Sequence, residues 1–361
     1  MNNIPYIEFK HIIKKFNDFY ALHDVSLSVP HGAFVTLLGP SGCGKTTLMR
    51  QLAGFSEPDD GDVFINGKRV NGLPPYKRNT PLVFQEYALF PHMTIFENIS
   101  YGLKLQKMPL KERRAKVSEM LRMFNLEGLE SRFPRQLSGG QQQRVAFARA
   151  LIMGQDILLL DEPLSNLDAK LRVEVRTELR QIQQKFEITT IYVTHDQDEA
   201  LSMSDIIAVM RKGEIEQIGT PWEIYYKPAS KFVADFVGVV NFLETTVDAV
   251  SAGCATVNYC GRPLHVTTEK PLAVGQTVTL AVRPESLAFA MNDNTDSAVL
   301  SGDVVNSSFL GRITRYWVKV EEQIFIVDET NPNSFEVRTG KVALTLDAGK
   351  VHVLTEKNGH D

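Results

Sequence analysis

Along the first two thirds of the chain, continuous apolar runs alternate with stretches whose apolar residues recur at helical spacing. The runs are Phe34 to Leu38, Ile157 to Leu160, Thr190 to Val193 and Ile206 to Met210. A strand covered on both faces needs such unbroken apolar character, so this order predicts an α/β fold with a largely parallel sheet. From about residue 87 to 150 the pattern turns helical. Leu110 to Phe124 sets Val117, Leu121 and Phe124 at i, i+4 and i+7 among charges, which predicts an inserted helical subdomain. Past Phe236 come short β-prone runs, Thr277 to Val282, Arg312 to Val320 and Gln323 to Val327, separated by Gly, Asn and Asp turns. They predict a separate all-β domain. Within it the run Thr314 to Val320 alternates too poorly to place in a strand order. The expected domains are therefore 1–235 and 236–361.

Composition supports two folded domains. The 361 residues are 43% hydrophobic and 23% charged, which excludes a disordered tail protein and a disulfide scaffold. The 39 basic and 43 acidic residues leave a net charge of -4, so the chain as a whole has no electrostatic pull toward nucleic acid or anionic lipid. Cys43, Cys254 and Cys260 form no CxxC pair and suit a reducing compartment. The opening residues lack a signal-peptide core, and no stretch approaches the roughly 18 apolar residues of a membrane helix. A role at a membrane would then run through a partner that spans it.

Three motifs carry chemistry. Gly39-Pro-Ser-Gly-Cys-Gly44-Lys45-Thr46 follows the apolar run and precedes a helical stretch, the strand, loop and helix context of a phosphate loop. Its glycines allow backbone N–H groups to converge on phosphate oxygens, Lys45 reaches the β- and γ-phosphates, and the Thr46 hydroxyl can ligate Mg²⁺. Chance yields this pattern in about one chain of this length in a hundred. Ile157 to Leu160 runs into Asp161 and Glu162, placing two carboxylates at the carboxyl edge of the sheet, where the phosphate loop also opens. One suits a Mg²⁺ ion and the other a water to be deprotonated, although a strand entering an acidic turn before Pro163 has the same appearance. Ser138 caps a helical stretch that begins Gly139-Gly140-Gln141. Two glycines behind a cap weaken the helix while opening its N–H groups to an anion, so this start reads either as a plain cap or as a second phosphate contact. Cys43, inside the loop, is expected to lie outside the core, where an alkylating reagent would compete with nucleotide. A helix N-terminus would lower its thiol pKa and burial would raise it.

GPSGCGKTT, LSGGQQQR and ILLLDEPLSNLD, in this order, resemble the Walker A, signature and Walker B/D-loop sequences of ATP-binding cassette (ABC) ATPases. Gln85 in VFQEYALFPH resembles the Q-loop glutamine, and His195 in YVTHDQDEA the switch histidine. Phe16 stands where the family has an adenine-stacking aromatic, with Tyr20 as the competing candidate. The resemblance covers about residues 4 to 240. It implies a head-to-tail dimer in which ATP lies between Walker A of one copy (Gly39, Ser41, Gly42, Gly44, Lys45, Thr46, Thr47) and Ser138, Gly139, Gly140 and Gln141 of the other. It also implies Glu162 as general base, His195 on the γ-phosphate, and Asp168 communicating across the dimer. Mg²⁺ would be held by Thr46, Asp161 and Gln85, and Gln85 would link metal and water to a transmembrane partner.

The tail, with FVGVVNFLETTV, AVRPESLAF and SFLGRITRYWVKV, resembles the TOBE region of bacterial import ATPases, an OB-like barrel used for dimerisation or regulation. OB folds also bind nucleic acid. Here Tyr259, Tyr316 and Trp317 are accompanied by Asp248, Glu285, Asp293, Asp296, Glu321 and Glu322, which disfavours a polyanion. The combined expectation is an α/β P-loop NTPase (ABC ATPase) core with an inserted helical subdomain plus a C-terminal all-β OB-like (TOBE) domain. It would work as a homodimer on two permease subunits at the cytoplasmic face of the inner membrane, served indirectly by a solute-binding protein. The alternative is a soluble ABC ATPase acting on nucleic acid or ribosomes. Tyr87 to Phe90 would form the socket for a permease coupling helix, or pack within the helical subdomain. YALFPHMTIFENISYGL, GLKLQKMP and LPPYKRNT lean to the polyamine and ferric iron branches more than to the sugar branch, with polyamine preferred and import of ferric iron, sugar or another solute as the alternative.

Overall fold

Five parallel strands form the centre of the N-terminal part of the chain, in the order Ile206–Arg211, Phe34–Leu38, Thr189–Thr194, Ile157–Asp161 and Leu82–Val83. Glu214–Gly219 adds an antiparallel edge strand. Phe34–Leu38 and Thr189–Thr194 are buried at every position, as their unbroken sequence predicts. Alternate side chains feed two cores, as the two-residue period of a strand dictates. Phe34, Leu158, Leu160 and Tyr192 pack with Val145, Phe147 and the helical subdomain, while Val35, Leu37, Leu159 and Ile191 pack with Leu48 and Leu52. That second core is closed by an antiparallel sheet absent from the sequence expectations: Phe19–Val29, Ile7–Phe16, Asp60–Ile65 and Lys68–Arg69. The computed structural model describes residues 5–251, 253–259, 261–268, 271–290, 300–330 and 337–354. Cys260, Asp293 and Asp296 lie outside the described residues.

The helical subdomain is built from Ile95–Leu105, Leu110–Met123 and Gly139–Leu151. Val117, Leu121 and Phe124 are buried. The expectation of helix from residue 87 is corrected at its start, where Tyr87 and Ala88 take positive φ values of 61° and 45°. Helix begins only after Thr94, whose hydroxyl accepts from Glu97 N at 3.2 Å while the Glu97 carboxylate accepts from Thr94 N at 2.8 Å, a reciprocal capping box. The preceding segment is tied down by buried Asn98, which accepts from Phe90 N at 2.9 Å and donates to Phe90 O, Met93 O and Thr94 O. Arg149 holds the carbonyls of Tyr87 at 2.9 Å and Ala88 at 2.8 Å.

The chain divides into the compact units Met1–Pro221 and Trp222–Asp361. The division falls ahead of the expected residue 235 because the helices Pro221–Tyr226 and Lys231–Phe236 are held by a residue of the β domain. The buried Arg283 guanidinium donates to Tyr225 O at 2.9 Å, Ala234 O at 2.9 Å, Gly238 O at 3.0 Å and Val239 O at 3.1 Å, and lies 4.1 Å from the Tyr225 ring. Among the described residues, the rest of this unit forms two antiparallel five-stranded sheets around one core. Ile313–Val320 alternates cleanly, with Thr314, Tyr316, Val318 and Val320 buried and eight residues in register with Gln323–Thr330. The alternation was hidden because Thr314 takes an inner position while Trp317 takes an outer one.

Candidate active site

The carboxyl ends of three neighbouring parallel strands deliver the chemistry. Leu38 leads into Gly39, Thr194 into His195, and Ile157–Asp161 into Glu162, with Leu38 opposite Thr194 and Asp161 opposite Val193. Gly39 is required by packing, since a Cβ there would lie 2.3 Å from Met210 O. Gly44 has φ 107° and would place a Cβ 2.5 Å from Ala21 O. The loop therefore stays at backbone width as it enters helix Lys45–Ala53. The Lys45 ammonium folds back over it, 4% exposed, donating to Gly39 O at 2.7 Å and Pro40 O at 2.9 Å. Ser41 and Gly42 are exposed, and Thr46 and Thr47 half-buried, at the loop mouth.

Thr46 Oγ1 donates to Asp161 Oδ1 at 3.0 Å, which joins the helix after the loop to the end of the acidic strand. Burial pushes the Asp161 carboxyl up from its ordinary range, partly offset by the Thr46 hydrogen bond. A desolvated carboxylate beside a hydroxyl is a pair of hard oxygen donors, which fits Mg²⁺. Glu162 holds φ 44°, a left-handed conformation costly for a side chain of this kind. It is kept there by Glu162 N donating to Val193 O at 3.0 Å and by Ser165 Oγ donating to Glu162 O at 2.9 Å. The carboxylate then meets His195 Nδ1 at 3.2 Å.

A second group of expected residues gathers around the segment after Glu162. Asp168 accepts from Leu171 N at 2.9 Å and caps helix Ala169–Lys185. Ser138 and Gln141 form the capping box of helix Gly139–Leu151. A Cβ on Gly140 would press 2.6 Å against the flexible end of Leu171, and one on Gly139 would come no nearer than 3.8 Å to Leu167. Nothing among the described residues requires glycine at position 139. Gln85 is exposed, and its carbonyl accepts from Asn166 Nδ2 at 3.0 Å. Asn166 lies inside the ILLLDEPLSNLD stretch but has no role there in the sequence reading, since its partner is a distant backbone carbonyl; Arg172, which donates to Asp196 beside His195, follows no local pattern.

Phe16 is 52% exposed at the end of a hairpin, opposite Phe19 at 61%. Tyr20, 42% exposed, already has Lys15 Nζ 4.3 Å from its ring and His23 against its edge. Tyr87 is buried, Ala88 exposed, and Leu89 and Phe90 half-buried. Cys43 corrects the expectation of a side chain outside the core: it is 3% exposed and packs with the Leu22, Leu48 and Met210 cluster. Burial raises its thiol pKa, with Lys45 only partly opposing.

A backbone cradle for phosphate, a desolvated carboxylate beside a hydroxyl, and a Glu–His pair on one sheet edge define a P-loop nucleoside triphosphatase. The ABC transporter family model matches residues 22–165 and the TOBE domain model residues 280–354. The Fe(3+) ions import ATP-binding protein FbpC of Fusobacterium nucleatum is 42% identical over 97% of this chain and 93% of its own length. The spermidine/putrescine import ATP-binding protein PotA of Rubrobacter xylanophilus is 43% identical over 98% of this chain and 94% of its own. A dimeric structure of the bacterial ABC transporter cassette MJ0796 superposes with TM-score 0.55 at 34% identity, covering 60% of this chain and 98% of that one. The chain belongs to the ATP-binding subunits of importer-type ABC transporters that carry a TOBE domain, and it is an ATPase. No helix among the described residues is long and apolar enough to cross a membrane.

Two outcomes follow from this geometry. Gly139→Ala stabilises the isolated chain by about 0.5 kcal/mol in chemical denaturation, because helix entropy improves without a clash, while ATP turnover falls at least tenfold. A variant that is destabilised, or fully active, contradicts a glycine kept for an external contact. In peptide-resolved maleimide labelling at pH 8, exposed Cys254 reacts in the folded protein and Cys43 only after denaturation, since its raised pKa shrinks the thiolate fraction at that pH. Rapid labelling of Cys43 in the native protein would show the loop to be open there.

Proposed function

We propose that the chain is the ATP-hydrolysing motor of a solute importer, acting as a head-to-tail dimer on two separate membrane subunits and thereby held at the cytoplasmic face of the inner membrane. Support for the dimer comes from Gly139. Gly140 is buried against Leu171, but Gly139 is exposed at the helix start and nothing among the described residues comes nearer than 3.8 Å to where its side chain would stand, as a phosphate contact supplied to a second copy requires. Each composite site would then combine Gly39, Ser41, Gly42, Gly44, Lys45, Thr46 and Thr47 of one copy with Ser138, Gly139, Gly140 and Gln141 of the other.

In this reading Lys45 and the loop N–H groups hold the β- and γ-phosphates, and Phe16 offers the adenine a ring face. Thr46, Asp161 and Gln85 would hold Mg²⁺, which when bound neutralises charge on the phosphate oxygens. Glu162 takes a proton from the attacking water as its oxygen bonds to the γ-phosphorus and the bond to the β–γ bridging oxygen breaks, releasing ADP. His195, placed by Glu162 at 3.2 Å, contacts the γ-phosphate. Asp168 communicates across the dimer. Gln85, bonded through its backbone to Asn166 beside that segment, relays the state of the site to the permease docking at Ala88 to Phe90.

The transported solute is read as a polyamine, with ferric iron as the second reading because relatives of both names match at 42 and 43% identity. The nearly balanced charge and the acidic β domain disfavour the alternative of a nucleic-acid ATPase.

Glu162→Gln is expected to keep ATP affinity within about threefold, to lower steady-state hydrolysis by at least a hundredfold, and to accumulate an ATP-bound dimer in size-exclusion chromatography. Near-normal turnover would remove Glu162 from the role of base. For the solute, deletion of the gene should abolish uptake of labelled spermidine and leave labelled ferric iron uptake intact; the reverse pattern selects iron.

A further inference from the structure

Three arginines stand at i, i+4 and i+8 on helix Ala169–Lys185, and each reaches the segment that begins at His195. Arg172 donates to Asp196 Oδ2 at 3.2 Å, Arg176 to Ser202 Oγ at 3.2 Å, and Arg180 to both carboxylate oxygens of Asp205. The rungs are not equivalent. Arg180 and Asp205 lie at the far end, where Asp205 also accepts from Phe34 N at 2.8 Å, at the amino edge of the sheet and away from the phosphate loop. Arg172 lies at the chemical end. Its second terminal nitrogen donates to Leu167 O at 3.1 Å, the carbonyl immediately before Asp168. Its Nε is buried, with no hydrogen-bond partner among the described residues, 3.8 Å from the Glu199 carboxylate.

Glu199 gives this contact its weight. It is 3% exposed and accepts from Tyr192 OH at 2.6 Å and Thr194 Oγ1 at 2.7 Å, so it fixes both the strand that carries His195 and the residue preceding it. Asp196, immediately after the histidine, accepts from Glu199 N at 3.1 Å and caps helix Gln197–Met203. His195 is thus flanked by two residues that both converge on Glu199, and the Arg172 guanidinium faces the Asp196 and Glu199 carboxylates while holding the Asp168 loop. A planar fork can span three acceptors in this way; an ammonium cannot.

We infer that Arg172 is a positioning residue that couples the Asp168 loop to the His195 loop, so that a displacement of the first, made by contact with a second copy, resets the histidine at the γ-phosphate. The inference rests on the roles proposed above for Asp168 and His195. Arg172 touches no reacting atom and acts through Asp196 and the backbone of Leu167.

The test uses the full-length chain and compares Arg172→Gln, Arg172→Lys and Arg180→Gln, with Glu162→Gln in parallel. Arg172→Gln is expected to lower kcat for ATP at least tenfold with KM and equilibrium ATP binding within about twofold of wild type, and to lower the Hill coefficient for ATP toward one. Arg172→Lys recovers part of kcat by restoring charge beside Asp196, but not the Hill coefficient, because Leu167 O stays unheld. Arg180→Gln removes the bidentate rung at the far end and is expected to lower Tm at least as much as Arg172→Gln while leaving kcat within twofold. Equal loss of kcat at Arg172 and Arg180 would reduce the ladder to a mechanical strap. Wild-type kcat and Hill coefficient in Arg172→Gln, with Glu162→Gln silent, overturn the coupling alone. An active Glu162→Gln overturns the underlying site reading instead.

Discussion

The parallel pairing of Phe34–Leu38 with Thr189–Thr194, and of Thr189–Thr194 with Ile157–Asp161, is the constraint on which the chemistry depends. Parallel strands in register end together, so the phosphate loop, the carboxylates and the histidine emerge at one edge although they are far apart in sequence. The register is robust because these strands are buried on both faces. A slip by one residue would exchange Leu158 and Leu160 with Ile157 and Leu159 between two differently shaped cores. The polar contacts Thr46–Asp161 and Glu162–His195 add little to this framework energetically. They read it out, converting strand register into the placement of oxygen and nitrogen atoms.

Much of the cassette was legible because its chemistry is local. The phosphate loop needs glycines at fixed spacing, and Gly39 and Gly44 leave no room for a Cβ. The buried strands announce themselves by lacking polar alternation. The antiparallel sheet Phe19–Val29, Ile7–Phe16, Asp60–Ile65 and Lys68–Arg69 was not legible, since its longest strands carry register shifts that break the period of two. The segment before Ile95 was read as helix because its apolar residues have suitable spacing; the decisive residue is Asn98, a polar side chain whose four hydrogen bonds are visible only in three dimensions. Cys43 was misplaced for a related reason. The phosphate loop exposes its backbone to ligand, yet turns this side chain inward against Leu22 and Met210.

Motif residues often do two jobs, which also explains why they are readable. Ser138 and Asp168 are helix N-caps in the isolated chain, and Gln141 completes a capping box. The same features that begin a helix present its positive end to an anion. Glu162 differs: its left-handed backbone serves no helix, and its cost is borne by neighbouring hydrogen bonds to Val193 and Ser165. Strain of this kind is invisible in the residue type and appears only in the dihedral angle.

Arg283 sets where one module stops and the next begins. Its hydrogen bonds draw the helices Pro221–Tyr226 and Lys231–Phe236 into the β unit, although sequence character changes only later. Recombination between related genes that joined a foreign tail at residue 236 would leave those helices with carbonyls shaped for an arginine the new tail must also supply. A junction near Pro221 transfers the arginine and its acceptors together. The inheritable unit at this end of the chain is therefore longer than the paired sheets alone, and diversification of the tail is expected to carry the two short helices with it.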